Sequence, residues 1–246
     1  MISAAIMQPT YLPWLGYFAM MAEAQVFVFL DSVQFEKRSW QQRNRIKGPQ
    51  GAHLLTVPVL TKGVPEQRIA DVLIEPGSDF RHRHIQTMRH FYGKAPKFAE
   101  VSALLFPLIE HEADHLADYN IHIAMALAAA LGIEVKFLRS RDLQVRGTKA
   151  DLLAAICAEV GAQRYLSAPG SAGYLAESNA FEAAGIEVVY NTFRVAPYAQ
   201  PHGEFVSHLA VVDALFSLGI AATRELIAAG RHVTPSSAFR SEQSVA

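Results

Sequence analysis

The sequence predicts an α/β fold, with a Rossmann-like parallel sheet, flanking helices and a helical insertion in the middle of the chain. Residues 2–7 and 25–31 are short apolar runs, typical of strands that are buried on both faces of a parallel sheet, and a helical pattern over 14–24 separates them. After residue 132 strands again alternate with helices, which implies parallel pairing. Between these parts, residues 78–131 have helical periodicity throughout.

The remaining elements can be placed in chain order. We expect strands or a hairpin of an added sheet at 52–60 and 68–75, two or three packed helices over 80–132, strands at 133–140, 164–168 and 186–191, and helices at 148–161, 172–185, 210–219 and 221–230. Thr148 is a suitable N-cap and Gly161 a suitable stop for the helix between them. We therefore expect one α/β domain over 1–230, composed of an N-terminal part (1–77), a helical segment (78–131) and a C-terminal α/β part (132–230), and a frayed tail at 231–246.

Composition excludes several classes of protein. The chain has 246 residues, 51% of them apolar, and its 22 Lys and Arg balance 23 Asp and Glu, so bulk charge does not indicate nucleic-acid binding. A single cysteine, Cys157, excludes an internal disulfide framework. The N-terminus has no basic segment typical of a signal peptide, and no apolar run has the length of a membrane span. We expect a soluble, cytoplasmic protein with no membrane partner.

The first candidate site is the stretch QPTYLPWLGY, residues 8–17. Pro9 cannot donate to a strand ladder, so the chain must leave the sheet directly after Gln8. A rigid corner packed with Trp14 and Tyr17 is one interpretation. The other is that Gln8, Tyr11, Trp14 and Tyr17 face a ligand at the carboxyl end of the first strand, where ligands collect in open α/β sheets.

The second candidate site, DSVQFEKRSWQQRNRI, follows the second predicted strand. Asp31 and Gln34 come first, and Arg43, Asn44 and Arg45 follow after two aromatic residues. Planar guanidinium groups suit phosphate or carboxylate ligands and can stack on a ring. A solvated charged surface is the alternative interpretation. The position at a strand end beside the first loop favours a binding role.

Two further loops follow later strands. YLSAPGSAGYL, residues 165–175, contains Ser167, Gly170 and Tyr174, and its backbone amides are free to bind an anion, although the Gly-Lys-Ser/Thr ending of a Walker A loop is absent. In FRVAPYAQPHGEF, Tyr198 and Gln200 follow the last predicted strand and could cover a pocket.

The pentapeptide HEADH, residues 111–115, matches the His-Glu-x-x-His pattern of zinc peptidases. On a helix, His111 and His115 would share one face and Glu112 would be a general base. No third ligand follows at a familiar interval, and the segment lies in the helical insertion. We predict no metal site and keep a zinc-dependent hydrolase only as a minor alternative.

Several of these motifs together resemble a known family. MQPTYLPWLGYF, DSVQFEKRSWQQRNRI, RYLSAPGSAGYL, PYAQ and VVDALFSLG resemble, in order and spacing, the WbqC-like protein family of bacteria. The resemblance implies a glycine (aminoacyl) transferase that acts on sugars, in the biosynthesis of surface polysaccharides or small molecules. A serine that the family has before the helix at VVDALFSLG is Ala210 here, whereas Asp213 is kept.

The opening of the chain also resembles pantothenate synthetase and other nucleotidyltransferases with a His-x-Gly-His signature. In that group two histidines bind the phosphates of ATP. Here Trp14-Leu15-Gly16-Tyr17 occupies their place, so both imidazoles are missing. Arg43, Arg45 or Lys149 could take over the binding of phosphate.

We therefore expect an acyl (glycyl or aminoacyl) transferase or amide ligase that acts on a small or nucleotide-linked amine such as an amino sugar. The expected catalytic residues are Asp31, which would orient or deprotonate the amine, and Arg43 and Arg45, which would bind phosphate or carboxylate. ATP, an aminoacyl-tRNA or a thioester could each supply the activated acyl group. The alternative is a non-catalytic protein that holds a nucleotide or sugar for a partner enzyme. Convergence of Asp31, Arg43 and Arg45 on one pocket would favour the enzyme.

Overall fold

The computed structural model describes residues 1–63, 66–236, 238 and 239. Their eight strands are β1 (Ser3–Met7), β2 (Val26–Phe29), β3 (Arg43–Gly48), β4 (Gly51–Thr56), β5 (Lys136–Arg139), β6 (Arg164–Ser167), β7 (Glu187–Phe193) and β8 (Arg231–Pro235). Six of them form one sheet in the order β5-β2-β1-β6-β7-β8, parallel except for β8, and β3 and β4 form a separate hairpin. The predicted α/β fold with a Rossmann-like sheet is confirmed.

Helices flank the sheet and fill the middle of the chain. The described helices are α1 (Leu15–Glu23), α2 (Phe80–Tyr92), α3 (Phe98–Glu110), α4 (Leu116–Ala130), α5 (Lys149–Glu159), α6 (Ala172–Ala176), α7 (Ala180–Ala183), α8 (Val211–Leu218) and α9 (Ile220–Gly230). Within the described residues, none of them combines the length and apolar character that a bilayer crossing requires.

The sheet is buried on both faces because successive side chains of a strand point to opposite sides. On β1, Ala5 belongs to a core shared with α1, α2, α3, α4 and α8, whereas Ala4 and Ile6 belong to a second core shared with α5, α6 and α7. Strands with apolar side chains toward both cores explain why the sequence shows continuous apolar runs rather than alternation.

Three expected elements differ from the structure, and one strand was not expected. The basic residues 43–48 form strand β3 of the hairpin, whereas 68–75 contains a short 3-10 turn and single bridges instead of a strand. Residues 172–185 form two short helices, since the chain breaks at Glu177–Asn179. Residues 231–235 were expected to fray, but they pair with β7 as strand β8. Residues 237 and 240–246 of that expected tail lie outside the described residues.

The loop between β1 and α1 is held by buried amide side chains. Asn44 of β3 donates from Nδ2 to the carbonyls of Tyr11 and Leu12, at 3.1 and 2.8 Å, and Asn120 of α4 donates to the carbonyl of Pro9 at 3.4 Å. Leu12 has a φ of 43°, a left-handed conformation that costs a non-glycine residue about 1–3 kcal/mol. External hydrogen bonds therefore fix a loop that is strained by itself.

Asn44→Ala is expected to destabilise the protein. It leaves two loop carbonyls without their donor, and we expect a loss of about 2–4 kcal/mol in the free energy of unfolding. Urea denaturation measures this difference in the free energy of unfolding, and we expect the same m value for the variant and the wild type. Asn191→Ala is the matched control: Asn191 is equally buried, but its side chain has no hydrogen-bond partner among the described residues, so the loss should be about 1 kcal/mol or less. Equal losses for the two variants would contradict this account of the loop.

Candidate functional site

A cavity of about 340 Å³ opens at the carboxyl end of β1, beside the loop described above. Its wall consists of Met7, Thr10, Trp14, Tyr17, Trp40, Asn44, Arg45 and His208. We refer to it as the first cavity. Its volume lies within the range of small-molecule sites, at the small end.

The topology of the sheet favours this position. From β1 the chain passes through α1 to β2 on one side, whereas the later strands β6 and β7 lie on the other side, so the strand order reverses between β1 and β6. In open α/β sheets, ligands bind outside the carboxyl ends of the strands at such a reversal. Met7, the last residue of β1, is part of the wall.

Trp14 and His208 form one side of the first cavity. Their rings stack with centroids 5.0 Å apart and an interplanar angle of 29°. Gly16 makes room for this arrangement, because a Cβ atom at that position would lie 2.2 Å from the Trp14 indole. The indole therefore lies over the first turn of α1 in space that only glycine leaves free.

Arg45 and Trp40 contribute a cationic side. The guanidinium carbon of Arg45 lies 5.2 Å from the centroid of the Trp40 ring, a cation–π contact. Nη2 of Arg45 is 3.5 Å from the carbonyl of His208, at the outer limit of a hydrogen bond, and the buried Nε has no partner among the described residues. The guanidinium therefore has donors left for an anionic group of a ligand.

The first cavity brings together four of the residues that the sequence indicated, namely Trp14, Tyr17, Asn44 and Arg45. Sequence reasoning missed Met7, Thr10, Trp40 and His208 as site residues. Trp40 and Thr10 lie within the motifs that pointed to the site, and their aromatic and hydroxyl side chains could have been included. No sequence signal could have found His208, because 163 residues separate it from Arg45.

Gln8 and Tyr11 of the opening loop do not line the first cavity. Gln8 is exposed, and its Oε1 accepts a hydrogen bond from Gln41 at 2.9 Å. Tyr11 is fully buried, and its hydroxyl lies 2.8 Å from Nδ1 of His84 on α2. Tyr11 therefore joins the loop to the helical segment and lies outside the wall of the first cavity.

Asp31 does not converge with the two arginines. It is fully buried, and its Oδ2 accepts from Nε of Arg139 at 2.7 Å. Its Oδ1 accepts from Ser140 Oγ at 3.2 Å and from the backbone N–H of Arg141 at 3.1 Å. Both carboxylate oxygens are therefore engaged by Arg139, Ser140 and Arg141, away from the two arginines of β3, and the expected role of Asp31 as a base for the amine stays a prediction. Its contacts tie the end of β2 to the end of β5.

Arg43 and Gln34 also lie apart from the first cavity. Arg43 is half-buried on β3, and its backbone pairs with Thr56 in the hairpin. Gln34 is exposed, and its backbone forms an isolated antiparallel β-bridge with Arg68. Neither is part of the wall of the first cavity. Of the three expected catalytic residues, only Arg45 lines it.

The loop after β6 lies at a different place. Ser167 is buried and hydrogen-bonded to Ser171 at 2.5 Å, and a Cβ atom at Gly170 would meet nothing within 4 Å. Tyr174 borders another cavity, together with Lys149 and Asp151 at the start of α5, and burial raises its pKa. These predicted residues are not brought to the first cavity.

Tyr198 and Gln200 bind a buried carboxylate. Tyr198 and Gln200 both donate to Oδ2 of Asp213 at 2.7 Å, and Tyr92 donates to Oδ1 at 2.7 Å. Burial raises the pKa of Asp213, and these hydrogen bonds act in the opposite direction. The network anchors the segment 198–208, which carries His208, to α8 and to the end of α2.

HEADH does not form a helical turn. His111 follows the last residue of α3 and His115 precedes the first residue of α4, so the pentapeptide is the connection between two helices. His111 stacks on His122 instead, at 3.9 Å between centroids. Within the described part of the chain, no three His, Cys, Asp or Glu side chains are grouped so that they could hold a metal ion. The zinc-peptidase geometry, which requires both histidines on one helix face, is therefore not formed.

The chain is similar to a known protein family and to one bacterial protein. The sequence model of the WbqC-like protein family matches residues 8–225, a span that contains every residue of the first cavity except Met7. The chain is similar to the uncharacterized protein Rv1507c of Mycobacterium tuberculosis, at 34% identity over 223 residues that cover 89% of this chain and 95% of that protein. No solved structure matches the chain significantly.

His84 is expected to make stability depend on pH. Burial, with a smaller contribution from the charge of Arg83, lowers the pKa of His84 to about 4. In the unfolded chain the His84 imidazole becomes protonated below about pH 6.5, whereas in the folded chain it stays neutral down to about pH 4. Between these values protonation favours the unfolded state, so the free energy of unfolding falls as the pH drops. We expect a loss of about 2 kcal/mol from about pH 7 to about pH 5 in urea denaturation, which His84→Gln removes.

The control for this prediction is His82→Gln, which changes an exposed histidine on the same helix. It should leave the pH dependence of the wild type unchanged. If His84→Gln retained the full slope, His84 would not be the group responsible.

Gly16→Ala is expected to displace the indole of Trp14. The added Cβ would overlap the ring, so the Trp14 emission spectrum should shift in a Trp40→Phe background, where Trp14 is the only tryptophan. Gly170→Ala in the same background is the control, since its Cβ would meet open space. An unchanged Gly16→Ala spectrum would mean that the indole does not lie over Gly16.

Proposed function

Because the chain belongs to the WbqC-like protein family, we propose that it is an acyl (glycyl or aminoacyl) transferase or amide ligase. Its acceptor would be a small or nucleotide-linked amine such as an amino sugar. The observation that carries the proposal is the half-buried Arg45 guanidinium, with its Nε unpaired among the described residues, in a small aromatic cavity that His208 also lines.

Arg45 would bind the anionic group of the substrate. Its guanidinium is held over Trp40, so little conformational freedom is lost when it pairs with a carboxylate or phosphate. The indoles of Trp14 and Trp40 would pack against the apolar faces of a sugar or acyl group.

His208 would accept the proton of the amine. In the proposed reaction the amine nitrogen attacks the acyl carbon, the C–N bond forms, and the bond from the acyl carbon to the donor oxygen or sulfur breaks. One proton leaves the nitrogen, and imidazole is the commonest acceptor for such a proton in enzymes. The acyl group must arrive activated, as an acyl adenylate made from ATP, as an aminoacyl-tRNA or as a thioester.

The rival proposal is a protein that holds a nucleotide or sugar for a partner enzyme. It is supported by the wall of the first cavity, which contains no carboxylate and no cysteine, and by the engagement of Asp31 with Arg139. Turnover distinguishes the two proposals. Purified protein is incubated with an amino acid, ATP and a nucleotide-linked amino sugar, or with charged tRNA in place of ATP, and mass spectrometry detects the amide. Binding without any product under these conditions would favour the rival.

Arg45→Gln is expected to weaken substrate binding by about tenfold or more, because a charge-assisted hydrogen bond is worth about 1.5–3 kcal/mol. Both tryptophans of the chain line the first cavity, so their fluorescence reports a ligand there directly. The measurement is a fluorescence titration with amino acids and nucleotide-linked amino sugars. Arg43→Gln, the same change two residues away on β3 and outside the cavity, should leave the affinity unchanged.

A further inference from the structure

A second cavity, of about 850 Å³, lies between the end of α2, the turn into α3 and the segment 199–202. We propose that it binds a phosphate-bearing ligand of nucleotide size. The cavity shares no wall residue with the first cavity, and the inference holds whichever reaction the first cavity performs.

The charged side chains in the wall of the second cavity are all basic. Arg89 and Lys94 line the second cavity, and its wall contains no Asp or Glu. Throughout the described residues, neither cation is part of an ion pair, and the Arg89 guanidinium lies over the ring of Phe106, with its central carbon 4.7 Å from the ring centroid. Two unpaired cations beside one cavity attract an anion, and phosphate is the anion whose several oxygens can engage both.

A buried serine borders the same space. Ser217 of α8 is 9% exposed, lines the second cavity, and its Oγ has no hydrogen-bond partner in the described part of the chain. A buried hydroxyl without a partner costs free energy, and native proteins rarely leave one unpaired. If the Ser217 side chain turns into the cavity by rotation about its Cα–Cβ bond, a polar group of a bound ligand would satisfy this hydroxyl.

The rest of the wall suits the apolar body of such a ligand. Phe91, Pro49, Pro96 and Pro201 line the second cavity, and His202 lies edge-on to Phe91 at 6.1 Å between ring centroids. Aromatic and proline surfaces beside a cationic end match a planar base joined to phosphate groups, and the volume is within the range of small-molecule sites.

The segment that closes the second cavity also reaches the first cavity. Gln200 is anchored to Asp213, Lys47 of β3 donates from Nζ to the carbonyl of Glu204, and the carbonyl of His208 is next to Arg45. One continuous segment, fixed at these three points, therefore borders both cavities.

Isothermal titration calorimetry with ATP, adenosine and inorganic phosphate tests the proposal. We expect ATP to bind with micromolar affinity, and adenosine and inorganic phosphate each to bind at least tenfold more weakly. Lys94→Glu should weaken ATP binding at least tenfold. Ser217→Ala should weaken it about threefold without lowering the melting temperature, because it removes a hydroxyl that is unpaired in the free protein.

Lys136→Glu makes the same charge change at an exposed lysine on edge strand β5, outside the cavity, and should leave ATP binding unchanged. No heat with ATP, equal affinity for inorganic phosphate and ATP, or full ATP affinity in Lys94→Glu would each overturn the proposal. The two proposals can fail separately. If the wild type binds ATP, Lys94→Glu loses this binding, and the wild type forms no amide, the result supports the ligand site in the second cavity and counts against the proposed reaction.

Discussion

The strained loop between β1 and α1 is the constraint on which the surrounding structure depends. Two prolines remove backbone donors from it, and Leu12 adopts a left-handed conformation, so the loop satisfies only part of its own polar groups, such as the Gln8 carbonyl that accepts from Thr10. The carbonyls of Pro9, Leu12 and Pro13 are paired from outside, by the side chains of Asn120 and Asn44 and by the backbone N–H of Val211, respectively. The helical segment, the hairpin and α8 thus meet at one turn.

This arrangement explains why the first cavity is aromatic and cationic at the same time. The hairpin that supplies Asn44 to the loop also supplies the next residue, Arg45, to the cavity. The loop that needs Asn44 supplies Trp14, and Gly16 leaves the space for its indole. Asn44 and Arg45, neighbours on β3, therefore both border the first cavity, and Asn44 also holds the loop.

Motif reasoning found the neighbourhood of the cavity better than the roles of its residues. A buried Tyr11, Asn44 or Asp31 looks like a ligand-binding residue in the sequence, since polar and aromatic types at strand ends suit both purposes. In the structure, Asn44 binds loop carbonyls and Asp31 binds Arg139, which the sequence places 108 residues away. Tyr198 and Gln200 likewise bind Asp213, although Gln200 also lines the second cavity.

The sequence by itself determined the α/β class, the parallel part of the main sheet and the point where the chain leaves β1, because apolar periodicity and proline act locally along the chain. Only the tertiary structure decided which side chains are free. Among the described residues, Arg45 keeps an Nε without a partner, whereas both carboxylate oxygens of Asp31 are hydrogen-bonded. His208 contacts Trp14 although 194 residues separate the two along the chain. Such outcomes depend on which partners long-range packing brings within hydrogen-bond distance, and no local pattern encodes them.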